Sequence, residues 1–249
     1  MFMIINGNEV KAAPGQTIME AARAAGIVIP GLCHHPGLEP YGGCRLCMVE
    51  ITKPGWKGEG SLVTSCNYEA EDGLVVDTRS KKTLASRREV LALLLARVPD
   101  SEVIRDLAAK FGVKETPYKK REDADLCIMC TICTRSCEAV GAFAITTQGR
   151  GGDKEVAPPL ADTSACVGCL ACARNCPTGA IPFEDGPLAM TVWDRTFEKM
   201  RCTVCGKPTI PRAMAEHFAK KAGLPVEYFQ VCDACHKRQT AEAFAKVLY

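Results

Sequence analysis

Residues 1–5 form a short apolar strand-like run, polar and apolar positions alternate over 9–12, and Asn6-Gly7 between them suits a two-residue turn, so the chain is expected to open with a β-hairpin. Thr17 and Glu20 form a T-x-x-E capping box ahead of an apolar helical run that Gly26 can end. Strand-like runs follow at residues 48–52, 62–66 and 74–77. Leu84, Leu91, Leu94, Leu95 and Val98 then recur at helical spacing until Pro99 stops them. Asp100 or Ser101 can cap a second helix carrying Val103, Ile104, Leu107 and Phe111 up to Gly112. A further helix is expected from near Pro211 to Gly223.

Sixteen cysteines in 249 residues decide what this α+β pattern is for. They fall into four groups: Cys33, Cys44, Cys47, Cys66; Cys127, Cys130, Cys133, Cys137; Cys166, Cys169, Cys172, Cys176; and Cys202, Cys205, Cys232, Cys235. Repeated Cys-x2-Cys steps are rare in disulfide frameworks, whereas two thiolates three residues apart can face one metal from a single tight turn.

The second and third groups are near-copies, CIMCTICTRSC and CVGCLACARNC, each a Cys-x2-Cys-x2-Cys-x3-Cys run. In bacterial two-cluster ferredoxins three thiolates of such a run serve one cluster and the fourth serves the other. Cys127, Cys130, Cys133 and Cys176 are therefore expected to hold one [4Fe–4S] cluster, and Cys137, Cys166, Cys169 and Cys172 the second. Pro177 follows Cys176 in the usual way, while Glu138 stands in the matching place after Cys137.

The first group, Cys-x10-Cys-x2-Cys-x18-Cys, departs from the plant ferredoxin spacing but still draws three ligands from one loop, and a [2Fe–2S] cluster is expected on Cys33, Cys44, Cys47 and Cys66. Gly42 and Gly43 let backbone N–H groups approach sulfur there. His34 and His35 could be ligands as in Rieske centres, although four cysteines leave them as ordinary loop residues. The last group, two Cys-x2-Cys pairs 26 residues apart with Gly206 after the first, reads as a structural Zn2+ knuckle; a third [4Fe–4S] cluster or a single iron wants the same four thiolates. His217 and His236 are spare donors.

The expected architecture is thus α+β. It runs as a β-grasp [2Fe–2S] ferredoxin domain over 1–78, a helical connector over 79–122, a bacterial-type two-[4Fe–4S] ferredoxin domain over 123–194, and a small four-cysteine C-terminal module over 195–249. Lys and Arg number 31 against 29 Asp and Glu, a net +2 that makes no global case for nucleic acid. Segment by segment, 1–78 and 123–194 are acidic while 79–122 and 195–249 are basic, so these parts are expected to pack on one another or on complementary partners. No apolar run reaches the ~18 residues of a membrane span, and the first residues do not read as a signal peptide. A cytoplasmic address, where thiols stay reduced, is expected. No G-x-G-x-x-G follows a strand, and no P-loop, nucleophile elbow or HExxH occurs.

The segments IPGLCHHPG, YGGCRLCMVEI, LCIMCTICTRSCEAVGAFAI and CVGCLACARNCPTGAI together resemble a known family. It is the iron–sulfur region shared by the large complex I iron–sulfur subunit, the diaphorase small subunit of NAD-reducing hydrogenases, and the N-terminal part of iron-only hydrogenases. The resemblance covers residues 1 to 190 and carries the family's ligands onto Cys33, Cys44, Cys47, Cys66 and the eight cysteines from 127 to 176. Many members hold a further cluster by one histidine and three cysteines between these modules. Here LALLLARVPDSEVIRDLAAKFGV keeps the helix without those ligands, so that cluster is expected to be absent. Either the [2Fe–2S] cluster then reaches the two-cluster domain directly, or a partner's cluster bridges them.

The resemblance implies a non-catalytic electron-relay subunit of an NAD(P)H-linked oxidoreductase. Its partners would be a flavin- and NAD(P)-binding subunit and a catalytic subunit, such as a hydrogenase, a formate dehydrogenase or another low-potential reductase. A free-standing polyferredoxin is the alternative.

Overall fold

The computed structural model describes residues 1–122 and 125–247. The expected start of the two-cluster segment at residue 123 and the last two residues of the C-terminal module lie outside them. The chain divides into two compact units, one of residues 1–132 with 177–180, the other of 133–176 with 181–249.

The first unit opens with β1 (Phe2–Ile5) and β2 (Asn8–Lys11), which pair antiparallel across Asn6-Gly7, both at positive φ. In α1 (Ile18–Ala24) the Thr17 side chain accepts from the Glu20 N–H while Glu20 reaches back to the Thr17 N–H, the full capping box. Then come β3 (Met48–Thr52), β4 (Ser61–Thr64) and β5 (Val75–Asp77). The five strands form one sheet in the order β2-β1-β5-β3-β4, with β1 and β5 parallel and the other pairs antiparallel. Alternation puts Met3, Ile5, Val10, Val49, Ile51 and Val76 on the face that packs against Ile18, Ala21 and Ala22 of α1.

Two helices complete this unit. α2 (Lys81–Arg97) is capped by Ser80, and α3 (Glu102–Lys110) follows Ser101, whose side chain makes no capping bond. Their apolar faces meet through Leu91, Leu95, Ile104 and Ala108, and the same core takes in Leu32, Cys33 and Leu46 from one cysteine loop and Ile128, Cys130 and Ile132 from the next.

The second unit holds the rest of α4 (Ile132–Val140), the β6 (Thr146–Gln148) and β7 (Glu155–Ala157) pair, and the short α5 (Ala171–Arg174). A four-stranded sheet follows from β8 (Phe183–Asp185), β9 (Ala189–Val192), β10 (Arg195–Arg201) and β11 (Pro208–Pro211), in sequential order. α6 (Arg212–Ala222) runs from Pro211 to a left-handed Gly223, and α7 (Asp233–Val247) ends the described chain. Residues 194 and 195 meet at the tip of the β9–β10 hairpin, so the expected two-cluster segment and the C-terminal module share one sheet.

Candidate metal centres

β3 and β4 pair with Met48 opposite Thr64, so the residues that flank this hairpin end, Cys47 and Cys66, emerge side by side with their sulfurs 3.4 Å apart. On the other side of the loop the Cys44 N–H donates to the Cys33 sulfur at 3.4 Å and the Leu32 N–H to the Cys44 sulfur at 3.3 Å. Ser65 Oγ fixes the loop by donating to the Cys47 carbonyl at 2.8 Å. Gly43 has no room for a side chain, since a Cβ would fall 2.2 Å from the Tyr41 ring, and Gly42 takes φ +68.

These four thiols cannot all ionise together in a buried nest. Hydrogen bonds from Cys44 and Cys66 hold Cys33 low and a bond from Cys66 holds Cys47 low, while sharing a proton with Cys33 pushes both Cys44 and Cys66 up. A cation bound among them removes this conflict, because metal binding displaces the protons. His35 Nδ1 accepts from the Gly37 N–H at 3.1 Å and so serves its own turn. His34 is half-buried, with neither ring nitrogen hydrogen-bonded among the described residues, and burial lowers its pKa.

The two cysteine runs share a backbone device. Met129 and Thr131 flank Cys130 at φ +55 and +57, and Gly168 and Leu170 flank Cys169 at φ +72 and +57. Each left-handed residue turns the chain sharply, which lets a loop aim successive sulfurs inward. In the first unit Cys130 is buried beside the α2–α3 core, and Arg97 Nε donates to the Cys127 carbonyl at 2.8 Å.

In the second unit Cys133 and Cys137 lie four residues apart on α4 and thus on one helical face. Cys137, Cys166, Cys169 and Cys172 line a single cavity with Ala144, Ile145, Leu170 and Trp193, so the last cysteine of one run joins the first three of the other. The Ala144 N–H donates to the Cys137 sulfur at 3.1 Å. Burial raises the Cys166 and Cys169 thiols and pushes Cys172 up to about 11. Cys176 follows α5 and is half-buried.

The last group gathers tightly. β10 delivers Cys202, a turn through Gly206 at φ +73 follows Cys205, and the start of α7 brings Cys232 and Cys235. All four sulfurs lie within 4.8 Å of one another. The Cys232 N–H donates to the Cys202 sulfur at 3.3 Å and draws that thiol down to about 6, while burial pushes Cys235 up to about 12. A tetrahedral ion with metal–sulfur bonds of about 2.3 Å sets its sulfurs about 3.8 Å apart. A four-iron cube, whose thiolates each bind a different iron, needs a wider set. The spacing here suits one tetrahedral ion. Both spare histidines are engaged elsewhere, His217 Nε2 with the Val140 carbonyl and His236 Nε2 with the Tyr228 carbonyl, each at 2.9 Å.

Four residues that sequence reasoning passed over are built into these centres. Arg87 and Arg97 read as ordinary charges on a helix, yet Arg87 is buried and donates to the carbonyls of Leu46, Met48 and Thr78. Trp193 and Arg195 lie at a hairpin tip without a turn signature and reach the second run's loop. A buried guanidinium leaves no mark on helical periodicity.

Comparison with known proteins finds iron–sulfur domains over the segments that carry the first three cysteine groups. Residues 3–81 match the 2Fe-2S iron-sulfur cluster binding domain, and residues 126–180 match the 4Fe-4S dicluster domain. The chain is 34% identical over 211 residues, 71% of its length and 35% of the relative's, to the NADP-reducing hydrogenase subunit HndD of Solidesulfovibrio fructosivorans. It is 28% identical over 228 residues, 81% of its length and 26% of the relative's, to a subunit of the NADH-quinone oxidoreductase of Rhizobium meliloti strain 1021. It is 27% identical over 227 residues, 82% of its length and 26% of the relative's, to the NADPH-Fe(3+) oxidoreductase subunit alpha of Geobacter sulfurreducens. The chain spans about a third or less of the length of these curated relatives. Among solved structures, a chain of the NAD+-reducing [NiFe]-hydrogenase in its H2-reduced state superposes with a TM-score of 0.62 at 28% identity, covering 90% of this chain and 99% of that one. The resemblance read in the cysteine motifs is to iron–sulfur subunits of NAD(P)H-linked oxidoreductases, and these relatives bear it out. Among the described residues no helix is long and apolar enough to cross a membrane.

Proposed function

We propose that this chain is the electron-relay subunit of a multi-subunit NAD(P)H-linked oxidoreductase, standing between a flavin- and NAD(P)-binding partner and a catalytic subunit such as a hydrogenase or a formate dehydrogenase. Cys33, Cys44, Cys47 and Cys66, beside a sheet of β-grasp order, would hold a [2Fe–2S] cluster. Cys127, Cys130, Cys133 and Cys176 would hold one [4Fe–4S] cluster, and Cys137, Cys166, Cys169 and Cys172 the other. Cys202, Cys205, Cys232 and Cys235 would hold Zn2+. Sixteen cysteines gathered in ligand groups suit a reducing compartment such as the cytoplasm.

The observation that carries this reading is the continuous core of the first unit, in which Leu32, Cys33 and Leu46 of one ligand loop pack through Leu91 and Leu95 onto Ile128 and Cys130 of the next. Bound iron–sulfur clusters supply one-electron redox chemistry. The chain's own residues hold the ligand loops at fixed separation, keep water from the buried sulfurs, and aim N–H donors at them. Cysteine loops joined by a packed helix pair favour the direct route from the [2Fe–2S] site to the first ligand run over one through a partner's cluster.

The test is a parent complex purified with and without this chain. Complexes lacking it are expected to retain NAD(P)H oxidation by the flavin partner with artificial dyes but to lose electron transfer to the catalytic subunit, and added chain restores it. Undiminished transfer without the chain contradicts the relay role. A chain that remains a monomer in the native extract supports the free carrier instead.

A further inference from the structure

The relay role leaves the β9–β10 hairpin unexplained. Val192 pairs with Arg195 across a two-residue turn in which Trp193 and Asp194 take φ +54 and +57. Such turns favour Asn and Gly, and an aromatic residue there is strained against its own backbone. The indole lines the cavity with Cys137, Cys166, Cys169 and Cys172. The Trp193 Nε1–H is buried with no hydrogen-bond partner among the described residues. The Cys172 sulfur lines the same cavity and is an acceptor this donor can serve.

Two residues on, Arg195 grips the same loop. Its Nη1 donates to the carbonyls of Thr163 at 2.7 Å, Ser164 at 2.9 Å and Cys166 at 3.0 Å, and its guanidinium lies 4.7 Å from the Phe197 ring centroid. Phe197 in turn packs over Gly168, where a Cβ would come within 2.6 Å of the ring. Three alternate residues of one hairpin therefore hold the start, the middle and the last sulfur of the ligand loop.

We propose that Trp193 and Arg195 raise the reduction potential of the cluster carried by Cys137, Cys166, Cys169 and Cys172, Trp193 by donating its indole N–H to the Cys172 sulfur and Arg195 by fixing a positive charge on the ligand loop. The inference rests on the cluster assignment above. Reduction adds one electron to the cluster and spreads negative charge onto its sulfurs. An N–H donor and a nearby cation both favour that more negative state, so both raise the potential. Trp193 and Arg195 are positioning residues, because neither ligates iron.

The test is an anaerobic redox titration of the full, cluster-loaded chain followed by electron paramagnetic resonance, with the relevant signal identified as the one lost in Cys169→Ala. Trp193→Phe keeps the ring and removes the donor. It is expected to weaken one-electron reduction of that cluster about tenfold, which is 59 mV at one electron. Iron content and the other potentials stay unchanged. Arg195→Gln is expected to move the potential the same way, and Arg195→Lys to restore most of it. A purely structural role predicts lost iron with no shift, or none of the lysine rescue. Wild-type titration by both Trp193→Phe and Arg195→Gln overturns the proposal. If Trp193→Phe fails to load, the Gln and Lys pair at 195 decides alone, equal potentials overturning it. Iron too low for two four-iron clusters in the unmodified chain would instead overturn the assignment beneath it.

Discussion

Arg87 and Arg97 stand on α2 about 15 Å apart along its axis, and each reaches a different cysteine loop: Arg87 Nε donates to the Leu46 carbonyl at 3.0 Å, and Arg97 Nε to the Cys127 carbonyl at 2.8 Å. Leu46 lies between Cys44 and Cys47, so one rigid helix fixes the spacing between two ligand loops. Arg87 also donates to the Thr78 and Met48 carbonyls, both at 2.9 Å, and the burial that lowers its pKa is opposed by the charge of Cys47. Arg87→Ala leaves three carbonyls without their donor and is expected to cost about 3 kcal/mol. Chemical denaturation measures the loss, and iron content of the [2Fe–2S] site falls with it. Arg97→Ala, at a half-buried position, removes the bond to the Cys127 carbonyl and is expected to cost about 1 kcal/mol.

Leu91 is fully buried at the centre of the core that joins both loops. Leu91→Ala is expected to destabilise the chain by about 2–5 kcal/mol. Its second effect is on the spacing of the centres, since the cavity loosens both loops together. Equilibrium denaturation reads the first effect, and weakened magnetic interaction between the reduced clusters reads the second.

Cys137 lines one cavity with the first three cysteines of the later run, and the proposed crossed arrangement makes it a ligand there. Cys137→Ala and Cys169→Ala are expected to abolish the same four-iron signal and leave the same residual one, while Cys176→Ala removes the other. Mössbauer and paramagnetic resonance spectra of the three variants check this. Matching losses for Cys137→Ala and Cys130→Ala would contradict the crossed arrangement.

The tight C-terminal set predicts a metal content of about one zinc with about ten iron and about ten acid-labile sulfide per chain. About fourteen iron without zinc contradicts it. Protons compete with the metal for thiolate, so zinc is expected to leave as the pH falls and to be held as it rises. A zinc-indicator titration reads this directly. Because β10 leads from Arg195 to Cys202, zinc loss is also expected to disturb the hairpin over the second cluster.

Much of the first unit is written in local patterns. Asn6-Gly7, the Thr17–Glu20 box and the alternation over Met48–Thr52 each act within a few residues, and the observed elements follow them closely. The cysteine groups were equally legible, because ligand spacing is a local constraint. The sheet of β8 to β11 was not. β8 is three exposed residues and β9 is half-buried along most of its length, so alternation is faint there, and Trp193-Asp194 lacks the glycine that marks a tight hairpin. α7 escaped notice for a related reason, since most of its side chains are exposed and no apolar stripe marks it. The roles of Arg87 and Arg195 depend on carbonyls 9 to 41 and 29 to 32 residues away, beyond the reach of any local pattern.

The most direct test of the relay is the relaxation of the [2Fe–2S] signal in the fully reduced, cluster-loaded chain, measured by pulsed paramagnetic resonance against a sample in which that cluster alone is reduced. The shared core predicts that reducing the four-iron clusters speeds relaxation of the [2Fe–2S] spin, because a neighbouring spin lies within magnetic reach. Identical relaxation in the two samples would contradict the account, leaving the [2Fe–2S] site and the four-iron clusters on one chain with no direct path between them.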